Sequence, residues 1–313
     1  MTAYDSNLSG TTELDETAVA LFADMALYRA SQELVVDQVC DIRQGVPGAT
    51  FRWTFHENLS AITSALTEDN EADSVSMSDN AVTLTPAEYG NVITTTNLIQ
   101  LQSGGIVNSS AAFLIGRNAG VSLDGLAIAA AKAFGLSANT IYPNDVTAAA
   151  SVGEADIMDK AYAARLYNVL ASANVPGVSG SDYIGVAHDD VLHDMRADAG
   201  TGSWTDVSKY ANPQSVLMNE VGMFQGIRWL RSSNASATTD GGAGTVDIYP
   251  VMVFGYQALG KAESAPLQIT VRGPFDKLGR FLHTGWLWVG VYDSINVYNQ
   301  AFGYCASSVG SNT

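Results

Sequence analysis

Residues 279–308, GRFLHTGWLWVGVYDSINVYNQAFGYCASS, limit what this chain can become more than any other stretch. Trp286, Trp288, Val289, Val291 and Tyr292 form a β-prone run. Ile295, Val297 and Tyr298 follow it after Asp293 and Ser294, a turn-forming pair. Three aromatic-rich strand segments are therefore expected near the C-terminus, and none carries a group suited to catalysis. A globular enzyme can end in this way, and so can a protein whose role is purely structural.

At 313 residues the chain is long enough for one large core or two modest ones, and a hydrophobic fraction of 47% excludes wholesale disorder. No run of about eighteen apolar residues is present, so no transmembrane helix is expected. The polar, acidic start MTAYDSNLSGTTELDE lacks the features of a signal peptide. A net charge of −17 argues against a basic nucleic-acid-binding face and against attachment to anionic membrane. Residues 1–100 carry 15 acids against three bases (Arg29, Arg43, Arg52), a balance of −12, which leaves −5 for the remainder. Cys40 and Cys305 match no zinc or redox spacing and are expected to be reduced thiols. The sequons at Asn58, Asn108 and Asn234 then carry no glycan.

Residues 1–11 lack apolar periodicity and are expected to be disordered. From Thr12, a suitable N-cap, to about Leu34 the pattern Leu14, Ala18, Leu21, Phe22, Met25, Tyr28 predicts an amphipathic helix. A Gly/Pro cluster at residues 45–48 then marks a boundary. Residues 49–57 alternate, with Phe51, Trp53 and Phe55 on one side and Arg52, Thr54 and His56 on the other, which predicts a strand. A second β-like run at residues 81–96 contains Pro86 and Gly90, as an edge or bulged strand does. With the acidic residues 66–80 between them, the two runs predict a long two-stranded arm with a solvated tip. Such a ribbon is marginal alone in water and needs a surface to lie on.

Residues 106–134 repeat at helical spacing, with Gly135 suited to the C-terminal end and Gly116, Gly120 and Gly125 each weakening the helix by about 1 kcal/mol relative to Ala. At 1.5 Å per residue the helix would run roughly 40 Å. Residues 144–174 predict a second helical region, with Ile157, Tyr162, Leu166, Val169 and Leu170 on one face. Residues 183–188 predict a strand, followed by a short helix through Met195. Residues 204–210 read as irregular or helical, 220–230 as a strand with two glycines, and 232–245 as a mobile loop. Residues 246–259 return to the core and 267–272 form a strand.

His188 and His193 lack a third metal ligand at a workable spacing, so turn and cap roles are expected. The Asp189-Asp190 pair sits where a helix begins and reads as capping. His56, on a strand, and His283, in a turn, are expected at the surface. Residues 240–244, DGGAG, lack the strand and helix of a phosphate-binding loop and read as a flexible turn. Glu68, Asp69, Glu71, Asp73 and Asp79 do not match the spacing of a calcium loop and read as a solvated tip. No nucleophile elbow, P-loop or zinc-protease motif is present. No catalytic, cofactor-binding or metal-binding residue is therefore assigned, and no cofactor is expected.

ALYRASQELVVDQV (26–39), the strand from Phe51, YGNVITTT (89–96), SDYIGVAHDDVLHDMRAD (181–198), the run from Trp204 to NEVGMFQGIRW (219–229), and FDKLGR with TGWLWVG (275–290) occur in one order along the chain. In that collinear order they resemble the major capsid proteins of tailed bacteriophages with the Hong Kong 97 fold, in the compact group without an N-terminal scaffolding domain. The resemblance implies an α+β fold. Residues 1–46 would be the N-terminal arm and 47–97 an extended loop lying over a neighbouring subunit. Residues 98–150 would be a peripheral domain with a spine helix at 106–134, 151–252 an axial domain, and 253–313 strands returning to the peripheral domain. It implies a non-enzymatic subunit of the virion, assembled in the host cytoplasm, that forms hexamers and pentamers of an icosahedral head around double-stranded DNA. Its partners would be copies of itself, with decoration, scaffolding and portal proteins, non-specific proximity to DNA and no membrane. Some such capsids crosslink a loop lysine to a neighbour's asparagine. Residues 47–97 hold no lysine, so that bond is not expected here. Two other readings are an encapsulin-type nanocompartment shell and, from another class, an acidic hydrolase or carbohydrate-binding protein.

Overall fold

A computed structural model describes residues 15–45, 50–56, 59, 61–63, 65, 74–103, 106–135, 139–178, 180, 182–198, 219–272 and 280–309. Helix α1 (Asp15–Glu33) lies against a long helix further along the chain, after a ribbon and a sheet strand have intervened. A 3-10 turn (Val36–Val39) leads from α1 into β1 (Asp41–Gln44). Strands β2 (Phe51–His56) and β3 (Asp79–Leu84) form a two-stranded antiparallel ribbon. Strand β4 (Ala87–Thr96) then runs into α2 (Asn97–Gln102), whose first turn is capped by the Thr96 hydroxyl accepting from the Ile99 amide. Helix α3 (Ile106–Gly135) follows. Its small residues let α1 approach closely: a methyl group added at Gly120 would stand 2.5 Å from the Ala30 carbonyl oxygen, and one at Gly116 would collide with the backbone of Ala26.

The second half holds α4 (Lys160–Ser172), capped by Asp159, then β5 (Tyr183–Ala187) and α5 (Asp189–Ala197). Strands β6 (Glu220–Phe224) and β7 (Ile227–Arg231) make a hairpin. Strands β8 (Tyr249–Phe254), β9 (Leu259–Arg272), β10 (Phe281–Ser294) and β11 (Gln300–Cys305) complete the chain. They form a four-stranded sheet, β1-β9-β10-β4, and a five-stranded sheet, β11-β8-β5-β7-β6. Helix α3 serves both: Ile115, Ala119, Leu123 and Ala127 belong to one apolar cluster with Trp286 and Trp288 of the first sheet and with Met252, Phe254 and Phe302 of the second. A separate core packs Tyr162, Leu166 and Leu170 of α4 against Trp229, Val251 and Val253. Every residue of β8 is buried, which accounts for its unbroken apolar run.

Several expectations are corrected. The run at 81–96 is two strands: β3 pairs with β2, whereas β4 pairs with β10, placing Trp288 opposite Tyr89. Pro86 falls in the break between them, where no ladder amide is needed. Residues 220–230 are a hairpin because Gln225 (φ 53°) and Gly226 (φ 76°) both take the left-handed conformation of a tight turn. The helix expected over 144–174 begins only at Lys160. Ile157 instead bridges to Ala306, and 3-10 turns at Pro143–Asp145 and Ala149–Ser151 precede it. Residues 232–245 are tied down, with Ser232 and Ala235 buried and Thr238 bridged to Ile248. Asp293 and Ser294 continue β10, and the middle of the three C-terminal segments is a 3-10 turn (Val297–Asn299). Strand β11 joins the five-stranded sheet, not the one built from β9 and β10. Thr12, residues 1–11, most of the acidic tip and residues 204–210 lie outside the described residues.

Candidate assembly surfaces

The ribbon is anchored at its root and bare at its far end. Phe51, Trp53 and Leu84 bury themselves against Ala262 and Ile295. The Trp53 indole donates to Asp41 Oδ2 at 3.0 Å, and the Arg43 guanidinium lies over its ring at 4.7 Å while donating to the Arg52 carbonyl. Alternation along β2 therefore has a purpose: its inward side chains hold the ribbon to the four-stranded sheet of its own chain. Farther out, Leu59, Ile62, Val75 and Met77 are 62%, 76%, 64% and 69% exposed. Scattered surface apolar residues are ordinary. These four lie in the non-strand segments just after β2 and just before β3, each with its side chain mostly in solvent.

A second apolar surface lies where β4, α2 and α3 meet. Ile93, Ile106, Val107, Ala111 and Leu114 line a groove of about 430 Å³. Leu98 and Leu101 of α2 are also largely exposed. Among the described residues no helix is long and apolar enough to cross a membrane.

Buried charge is used to fasten the N-terminal segment. Lys261 Nζ sits 3.0 Å from Asp37 Oδ1 and 3.5 Å from Glu263 Oε1, all within a shell of rings. The Tyr292 hydroxyl donates to Asp37, the Trp288 indole to Glu263, and the Gln44 amide to the other Glu263 oxygen. Tyr89, Trp288 and Tyr292 stack in sequence at 5.8 and 5.2 Å. Burial, then the adjacent Asp37 charge, pushes the Tyr292 phenol far above its ordinary value. The same two causes, in the same order, raise the Cys40 thiol. Breaking such a buried pair on one side costs about 3–5 kcal/mol, so the cluster fixes the seating of β1 even where it adds little net stability.

The histidines and acids singled out in the sequence take structural roles. His188 itself caps α5, its Nδ1 accepting from the Asp190 amide at 3.3 Å. Asp189 and Asp190 occupy the first turn, where acids favour the helix dipole. Asp190 Oδ2 accepts from the Tyr249 hydroxyl at 3.0 Å; burial first and this bond second push that phenol up to about 12. Asp194 is buried and accepts from the Ser308 amide and hydroxyl, clamping the end of the chain to α5; His193 lies 3.6 Å away. His56 is exposed as expected. His283 is not in a turn but within β10, half-buried and bonded to Thr94 Oγ1 at 2.8 Å. Residues 241–242 form a packed turn, since a methyl group at either glycine would press on Ile248. Cys40 and Cys305 are both free. Among the described residues no three His, Cys, Asp or Glu side chains converge as a metal site would need. Sequence reading missed Asp124, Lys261 and Glu263, because a helix acid and an alternating strand pattern give no sign that the head groups are buried.

No protein-family profile and no curated relative matches the sequence. Solved structures do match. The capsid of cyanophage P-SCSP1u is similar at a TM-score of 0.65 and 13% identity, covering 88% of this chain and 89% of that one. The capsid of Ralstonia phage GP4 is similar at 0.64 and 12%, covering 87% and 88%. A virus-like particle from Pyrococcus furiosus is similar at 0.55 and 11%, covering 91% and 98%. The chain has the α+β fold of phage capsid proteins of the Hong Kong 97 type.

Proposed function

We propose that this chain is a major capsid protein, a subunit that assembles with copies of itself into the hexamers and pentamers of an icosahedral head enclosing double-stranded DNA. The observation that carries the reading is a fold shared with capsid subunits over 87–88% of the chain, joined to exposed apolar side chains beyond the ribbon strands and an apolar groove between β4 and α3. In this reading residues 1–46 are the N-terminal arm. The ribbon within 47–97 is the extended loop that a neighbouring subunit supports. Helix α3 is the spine of a peripheral domain with β4, β9 and β10, and the five-stranded sheet with α4 and α5 is the axial domain, which also takes β11. The subunit would reside in the virion after assembly in the host cytoplasm, with decoration, scaffolding and portal proteins as further partners. We assign it no enzymatic step.

The test is negative-stain electron microscopy with size-exclusion chromatography on the chain expressed alone. Closed shells or capsomer-sized rings are the expected result. A protein that stays monomeric at high concentration, and also when its scaffolding partner is co-expressed, would sink the proposal. A second reading, an encapsulin-type compartment shell in place of a phage head, is kept open by the match that covers 98% of a virus-like particle subunit. Particles isolated from the native source would distinguish the two, since a phage head carries packaged DNA and a compartment shell carries protein cargo.

A further inference from the structure

Asp124, midway along α3, is 0% exposed, and no ion pair among the described residues involves it. Four donors meet its carboxylate. Oδ1 accepts from the backbone amides of Val35 and Val36 at 3.0 and 2.9 Å. Oδ2 accepts from the Ser232 hydroxyl and the Asn234 side-chain amide, both at 2.8 Å. The two oxygens therefore serve different parts of the fold. Val35 and Val36 follow α1 and lead into β1 of the four-stranded sheet. Ser232 and Asn234 follow β7 of the five-stranded sheet, and the Ser232 amide is itself held by the Ala187 carbonyl of β5.

We infer that Asp124 is a coupling joint, through which the seating of the N-terminal segment and the placement of the turn after β7 depend on each other. A carboxylate is one planar group with a single shared charge. If Oδ2 loses its two donors, nothing holds that oxygen in place, and the group is free to turn about its side-chain bond toward the polar cavity that Val35, Ser232 and Asn234 line, a turn that draws Oδ1 off the two amides. Four neutral donors and no cation make the site sensitive, because no counter-charge holds the carboxylate in place when donors leave. This joint is a property of the folded chain and stands whether or not the chain builds a shell.

Hydrogen exchange on the full-length protein tests it. The variant Ser232→Ala with Asn234→Ala removes both Oδ2 donors and touches neither Val35 nor Val36. The expected result is exchange at the Val35 and Val36 amides at least tenfold faster, beyond any change at Val251 and Val253 in β8, which report loss of global stability. Exchange at residues 35 and 36 that is unchanged, or rises only as much as β8, overturns the joint. If the double variant does not fold, Asn234→Ala alone is read in the same way, with a threefold excess expected. In the reverse direction Asp124→Asn, which keeps the shape and places a donor against donors, should speed exchange at residues 35–36 and at 232–235 together.

Discussion

Gly116, Gly120 and Gly125 lie on one helix, and a count of helix propensity treats them alike. The structure separates them. At Gly116 and Gly120 an added methyl group would meet the backbone of Ala26 and Ala30, whereas at Gly125 it would meet nothing within 4 Å. Overpacking of this kind costs about 1–3 kcal/mol, while an unobstructed Gly-to-Ala change in a helix gains up to about 1 kcal/mol. Gly116→Ala should therefore lower the urea midpoint and Gly125→Ala should raise it. Equal effects would mean that α1 does not pack on α3 as described. A second prediction concerns alkali. Burial raises the phenols of Tyr162, Tyr249 and Tyr292 above 10.0 and the thiols of Cys40 and Cys305 above 9.0. Each group keeps its proton in the folded chain at a pH where the unfolded chain has lost it. The stability they contribute is present below those ordinary values and is lost as pH climbs through the raised ones. Thermal melts should accordingly fall from about pH 9 upward, and Tyr249→Phe should flatten the decline between pH 10 and 12. A melting temperature independent of pH from 8 to 11 would contradict this.

At the scale of elements, what could be read from sequence was local and what could not was long-range. The repeat over residues 106–134 specified α3 almost to its ends, because a helix closes its own hydrogen bonds. The alternation of Phe51, Trp53 and Phe55 specified β2 for a similar reason: period two needs only one buried face. Strand partners were not legible. Asp41–Gln44 pairs in parallel with β9, more than two hundred residues away, and its four residues carry no pattern. Residues 81–96 look continuous, yet they are divided between two sheets. Asp124 was equally silent, since its four partners come from segments far apart in sequence. The ribbon carries its own prediction. Ile62→Asp with Met77→Asp changes side chains that are 76% and 69% exposed, so the thermal melt of the subunit should hardly move. In an assembly that buries this surface, two carboxylates would enter an apolar contact, and particle yield by electron microscopy should fall at least tenfold. Normal particles from this variant would show that the ribbon end is not an interface.

For the whole molecule, the proposed shell raises the question of what would hold its subunits together. Each copy carries a net charge of −17, so copies assembled as proposed would repel one another and cohesion would have to come from buried apolar surface. A covalent lock between a loop lysine and a neighbour's asparagine would remove that burden, but residues 47–97 contain no lysine to form one. Lys261 cannot substitute for it. Its ammonium is buried between Asp37 and Glu263 under the Trp288 and Tyr292 rings, fixed in the seating of its own N-terminal segment and out of a neighbour's reach. Cys40 and Cys305 are no better placed, since both thiols are raised by burial and so are poor nucleophiles. Mature particles boiled in detergent should therefore run as a single band at the 33.0 kDa subunit mass, with or without reductant. A ladder that survives both treatments would show a crosslink made from a lysine outside residues 47–97, such as the half-buried Lys132 or Lys160. A ladder that collapses with reductant alone would require one of the two thiols to leave the core during maturation.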